Sequence, residues 1–185
     1  RKLLKPSVLK ISNPTLPVEY LGVVCVILIT RESLSPYYVI NIADDKIPFT
    51  GVIGMSNVIN PENTGNYHLT YLPRYLLSTD EELQKPDEYF KDTFIAGLEQ
   101  MFPEFDTKTI IDVHVNRAFK VQPLQVLDYS NHVPKTETKH KNIHVLNTSQ
   151  FVNATLNNNE VIGAVNRFHA EYSKQFSSLT SITTR

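Results

Sequence analysis

"VEYLGVVCVILIT", residues 18–30, decides how the rest of the chain is read. It is rich in β-branched residues and lacks a helical period, so it predicts a strand. Its near-continuous apolar character predicts burial on both faces. The longest apolar run, Leu21 to Ile29, falls short of the roughly 20 residues that span a bilayer as a helix. Cys25, the one cysteine of the chain, lies inside this run. It excludes an internal disulfide, fits a reducing, cytoplasmic setting, and reads as a small buried hydrophobe rather than a reactive thiol.

Working outward, residues 1–17 contain Pro6, Pro14 and Pro17 and predict an irregular lead-in. "RESLSP" (31–36) reads as a turn and "YYVINIA" (37–43) as a second strand. "FTGVIGMSNVI" (49–59) predicts a third strand, in which Gly51 and Gly54 signal a bulge or close backbone approach. "NPENTGN" (60–66) is turn-like, and "YHLTYLPRYLL" (67–77) predicts a fourth strand that Pro73 should end or displace to an edge. Ser78 to Glu82 supplies a cap candidate followed by acids, and Pro86–Asp87 opens a clearer helix. On it Phe90, Phe94, Leu98 and Met101 share one face, and Pro103 ends it. "TIIDVHVNRAFKV" (109–121) alternates as a fifth strand, with Ile111, Val113 and Val115 opposing Asp112, His114 and Asn116. A polar connection (122–142) leads to a short strand (143–149) and a helix ending near Ser177. The fold class is therefore α+β: a mainly antiparallel sheet with helices on one side.

The bulk properties exclude several functions. With 185 residues, 41% of them hydrophobic, the chain can bury one respectable core or two small ones. A net charge of -1 gives no argument for nucleic acid or an anionic membrane as partner. No signal peptide is visible, and a start at Arg1 rather than Met suggests a fragment or processed product. His140 and His144 stand four apart but lack a third ligand, so no metal site is expected, and His114 on its strand reads as a structural histidine. G-x-S-x-G, G-x-G-x-x-G and Walker sequences are all absent, which disfavours a self-contained nucleotide enzyme or serine hydrolase.

Two features retain functional interest. Tyr37, Tyr38, Asn41, Tyr67, His68, Tyr71, Arg74 and Tyr75 place aromatics beside polar groups on the strands, as a ligand-facing sheet would; ordinary packing reads the same pattern equally well. Arg117 is either an anion clamp or a surface charge. In "NATLNNNEVIGAVNRFHAEY" (153–172), Asn153, Thr155, Asn157, Asn158 and Asn159 crowd before a helix. They are either a plain cap or a presentation of free N–H groups to a ligand.

The phrases "YLGVVCVILITRESLSPYYVINIADDKIPFTGVIGMSN", "HLTYLPRYL", "MFPEFD" and "VHVNRAFKVQP" together resemble flavin-containing amine oxidoreductases of the protoporphyrinogen-oxidase-like group, relatives of the UDP-galactopyranose mutases. The resemblance runs from Val18 to Tyr172 in order. It implies a substrate-binding sheet domain over 18–125, a linker over 126–142, a strand–helix over 143–177 returning to complete an FAD-binding domain, and a frayed tail over 178–185. It further implies a small-molecule substrate held by Tyr38, Asn41, His68, Tyr71, Arg74 and Arg117, with hydride transfer to the flavin. Thr155, Leu156, Asn157 and Asn158 would approach the flavin at the start of the last helix. The chain departs from the pattern in two ways. Asparagines replace the glycine-bearing turn before that helix, and the glycine-fingerprint region is absent. The resemblance thus implies the substrate-side part of an FAD-dependent oxidoreductase whose N-terminal FAD-binding region is missing. FAD binding by this chain alone would be weak or absent, and so would catalysis. A non-catalytic binding module and a mutase-like sugar-nucleotide enzyme remain the alternatives.

Overall fold

The computed structural model describes residues 18–138 and 143–180. The expected lead-in over 1–17, His140 with the end of the linker, and the tail from 181 onward lie outside them. The chain divides into two compact units. One is Tyr20–Val121; the described part of the other comprises Val18, Glu19 and residues 122–138 and 143–180.

Strands β1 (Tyr20–Thr30), β2 (Val39–Asn41), β3 (Gly51–Gly54), β4 (His68–Leu77) and β5 (Ile110–Pro123) form a five-stranded antiparallel sheet in the order β2-β3-β4-β1-β5. Helix α1 (Asp87–Met101) follows β4, and helix α2 (Asn158–Thr180) closes the chain. The architecture is α+β.

β1 alternates rather than burying both faces. Gly22, Val24, Val26, Leu28 and Thr30 are buried, while Leu21, Val23, Cys25, Ile27 and Ile29 are only half-buried. The reason is α1, whose Phe90, Phe94 and Leu98 meet Val24, Val26, Leu28 and Leu72 in one core cluster on the even-numbered face of β1. Phe90 and Phe94 pack edge-on at 5.9 Å, and Phe49 joins Phe94 at 5.4 Å. Such aromatic pairs add to simple area burial. On β5 the core neighbours are Ile110, Val113 and Val115, whereas Ile111 is exposed.

β4 runs unbroken through Pro73 inside the sheet, contrary to the expectation that proline ends it or moves it to an edge. The carbonyl of Pro73 accepts the Thr50 amide at 2.8 Å and the Thr50 hydroxyl at 2.9 Å. Amide and carbonyl of one strand residue point to the same side, so the donor that Pro73 lacks would have faced β3. The β3–β4 pairing covers only Ile53–Tyr71 and Gly54–Thr70, so no ladder bond is lost at Pro73.

The third strand stops at Gly54 instead of reaching Ile59, and a 3-10 turn (Met55–Asn57) follows. A Cβ on Gly54 would lie 2.6 Å from Asn57 Nδ2 and 3.0 Å from the Tyr37 carbonyl oxygen. Glycine therefore admits the Asn57 amide, which donates to the carbonyls of Ser35 (2.9 Å) and Tyr37 (2.8 Å). The expected close approach is present.

In the other unit, residues 143–149 are not a strand. An isolated bridge joins Glu137 to His144, and a 3-10 turn occupies Thr148–Gln150. Side-chain bonds take the place of a ladder. Asn147 and Gln150 form a capping box, and the Gln150 amide also donates to the carbonyls of Pro134 (3.1 Å) and Val145 (3.2 Å). The buried Tyr129 hydroxyl donates to the Ser149 carbonyl at 2.6 Å. Tyr172 of α2 stacks on Phe168 at 4.8 Å, lies 4.4 Å from the His144 ring, and donates to the Glu137 carboxylate.

Candidate functional site

The face of the sheet away from the α1 core carries the best candidate surface. Register places Leu21, Val23, Cys25, Ile27 and Ile29 of β1 opposite Leu77, Tyr75, Pro73, Tyr71 and Leu69 of β4. β3 adds Ile53 opposite Tyr71, and β2 adds Val39 opposite Ile53 and Asn41 opposite Gly51. A row Val39–Ile53–Tyr71–Ile27 thus crosses four strands, while Tyr75 (46%) and Leu77 (48%) remain well exposed. Neighbouring β5 carries Asp112, His114 and Asn116 at exposed positions, where the His114 imidazole lies 3.2 Å from the Asp112 carboxylate. Apolar ground with aromatic hydroxyls and a polar margin suits a small organic ligand. Cys25 is part of it, its thiol pushed up by burial while a Leu72 backbone hydrogen bond pulls the other way.

The six sequence-predicted substrate residues do not share this surface. Tyr71 and Asn41 lie on it, and Tyr38 is exposed immediately before β2. His68 pairs with Thr30, and Arg74 with Val24, so both belong to the α1 side. His68 Nδ1 is buried without a partner, beside a void of about 10 Å³ that Ser56 and Thr70 also line. Arg74 donates to the Glu82 carboxylate and to the Pro48 carbonyl, both at 2.9 Å. Arg117 donates to the Asp87 carboxylate and to the Lys85 carbonyl (2.7 Å), with its guanidinium 5.1 Å above the Phe90 ring. Both arginines tie the start of α1 and the turn before it to the sheet. Their acidic partners are visible in the sequence, but nothing local says which arginine each would meet.

The predicted flavin residues lie at the start of α2. Asn157 Oδ1 accepts the Glu160 amide at 3.0 Å, and the Asn157 carbonyl accepts the Val161 amide at 3.2 Å. Asn157 is thus an ordinary N-cap, and the helix begins at Asn158. Asn153 adopts φ 53°, a left-handed turn that asparagine tolerates. Its amide donates to Gln125 Oε1 (2.8 Å), and Gln125 Nε2 donates to the Ala154 carbonyl (3.0 Å). Gln125 carried no signal in the sequence. The crowded asparagines therefore serve a turn and a cap. Thr155, Leu156, Asn157 and Asn158 are exposed, and Glu160 puts a carboxylate in the first turn, where an electron-rich flavin edge would meet a like charge. These residues do not by themselves fit an FAD site.

No family model matches the chain, and no curated protein matches it significantly. Similar solved structures exist. Reduced UDP-galactopyranose mutase matches over 62% of this chain with TM-score 0.51 and 12% identity. A proposed protoporphyrinogen oxidase from Exiguobacterium sp. 255-15 matches over 63% with TM-score 0.52 and 11% identity. An oxidoreductase from Methanosarcina mazei matches over 71% with TM-score 0.50 and 17% identity. The chain spans 25%, 26% and 30% of those three chains. At such identities the likeness is one of fold alone: this chain shares the fold of a segment of each of those larger chains. No helix among the described residues is long and apolar enough to cross a membrane.

Proposed function

We propose that this chain is the substrate-side part of an FAD-dependent oxidoreductase and is inactive alone. The observation that carries the reading is the apolar, tyrosine-bearing sheet face running through Val39, Ile53, Tyr71 and Ile27. The fold likeness and the resemblance of sequence point to the same class. On this reading Tyr38, Asn41 and Tyr71, with Tyr75, orient the substrate, while the aliphatic β1 residues exclude water from it. His68, Arg74 and Arg117 support the sheet from its other side. Flavin, bound elsewhere in the whole enzyme, would accept the hydride. The mutase-like alternative needs arginines free to grip a diphosphate, and the engagement of Arg74 with Glu82 and of Arg117 with Asp87 weighs against it.

The test is a titration of the purified chain with FAD, followed by flavin fluorescence and thermal unfolding. It is repeated on the polypeptide extended by the coding sequence upstream of Arg1. Binding by the extended polypeptide but not by this chain supports the proposal. Tight binding by this chain, or by neither, overturns it.

A further inference from the structure

The two ends of the sheet differ. β2, at one end, has 3 residues and offers little backbone for another strand to pair with. β5, at the other end, has 14, and among the described residues its strand partner is β1 alone. The groups on its outer side can be located. The Leu124 amide, just past β5, donates to the Glu19 carbonyl at the head of β1 (2.8 Å). Amide and carbonyl of one strand residue point to the same side, and that side alternates along the strand. Counting back from Leu124, the backbone groups of Val115, Arg117 and Phe119 point away from β1. Those of Val113 do so too, and its amide is met by the carboxylate of its own neighbour, Asp112 Oδ1, at 2.8 Å. A long row of donors and acceptors on an end strand is a template for one more strand.

The residues of β5 say which strand fits. Asp112 and Lys120 are exposed and stand equally far on either side of Asn116. Laid antiparallel on a second β5 with Asn116 facing Asn116, the strand sets Asp112 opposite Lys120 at both ends. It also sets Val113 opposite Phe119, which is 44% exposed. Opposite charges and apolar pairs directly across two antiparallel strands favour pairing, and like charges oppose it. Neighbouring registers lose this match. Centred on Arg117, the strands put Arg117 against Arg117 and His114 against Lys120. Centred on Val115, they leave Asp112 facing Ala118 and Lys120 facing Ile110. A centre between two residues would set outward backbone groups against inward ones. We propose that this chain self-associates edge to edge through β5, about a two-fold axis at Asn116, so that one sheet continues across two copies. The contact is isologous and closes on itself, giving a dimer and not a fibre. It does not depend on the flavin reading.

The experiment is sedimentation equilibrium of the whole chain over a range of concentrations, on the wild type and on two charge-reversed variants. The wild type should pass from monomer to dimer as concentration rises. Asp112→Lys and Lys120→Asp each set like charges opposite one another at both ends, and each should weaken self-association by roughly tenfold. Mixed in equal amounts, the two variants restore opposite charges at both ends and should associate with each other about as well as the wild type does with itself. Circular dichroism reports whether each variant is folded. If either is not, amide hydrogen exchange on the wild type decides: Val113, Val115, Arg117 and Phe119 should gain protection as concentration rises. A wild type that stays monomeric, a dimer indifferent to both reversals, variants that fail to associate on mixing, or exchange at those four amides that does not change with concentration would overturn the proposal.

Discussion

Tyr71 stands opposite Ile27 on one side and Ile53 on the other, the point where three strands of the sheet meet on its exposed face. One residue along, Leu72 pairs with Val26 and is fully buried against α1. Adjacent positions on one strand therefore serve opposite purposes, and substitutions on the two faces should separate them.

Leu72→Ala leaves a cavity in the core and should cost about 2–5 kcal/mol of folding stability. Tyr75→Ser, on the exposed face opposite Val23, should cost less than about 1 kcal/mol. Urea denaturation of the two variants checks the contrast. Equal losses would mean that the exposed face is packed like the core.

The Arg74–Glu82 pair is expected to couple measurably, because both side chains are mostly covered, at 29% and 20% exposure, and the guanidinium also holds the Pro48 carbonyl. Arg74→Met should destabilise by about 1–2 kcal/mol, more than Glu82→Gln. A double-mutant cycle should return a coupling above about 0.5 kcal/mol. Additive losses would show that the pair is incidental.

Asn157→Ala should remove the α2 cap at a cost of about 1 kcal/mol and shorten the helix by circular dichroism, while Asn157→Asp should retain it. The prediction bears on function as well. A residue committed to capping loses stability when truncated, whether or not any flavin is added.

The Tyr172–Glu137 contact makes stability depend on pH in two windows. The hydrogen bond to Glu137 pushes the Tyr172 hydroxyl from 10.0 up to about 12, so its contribution is full below pH 10.0 and fades as pH rises toward 12. The same bond from Tyr172 holds the Glu137 carboxyl below its ordinary 4.5, so that contribution is present above 4.5 and fades as pH falls through the lowered value. The difference in unfolding free energy between the wild type and Tyr172→Phe should be flat between these limits and shrink beyond each. A difference that does not change with pH would show that the contact is not ionic in origin.

Sequence alone determined whatever depends on local pattern. The α1 face of Phe90, Phe94 and Leu98 follows from helical spacing, its start from Pro86–Asp87, and β1 from a β-branched apolar run. The close approach at Gly54 was legible because few other reasons place glycine in a strand. Tertiary structure decided the rest. β1 is buried on one face and half-buried on the other because α1 packs on the first, and Pro73 sits inside the sheet because its missing donor points where β3 has already left the ladder. Residues 143–149 do not extend as a strand; among their bonds are those to Gln150, to Tyr129 and across the bridge to Glu137. Above all, whether Arg74 and Arg117 were ligands or braces depended on Glu82 and Asp87 arriving beside them. That proximity is made by the fold, and no spacing along the chain encodes it.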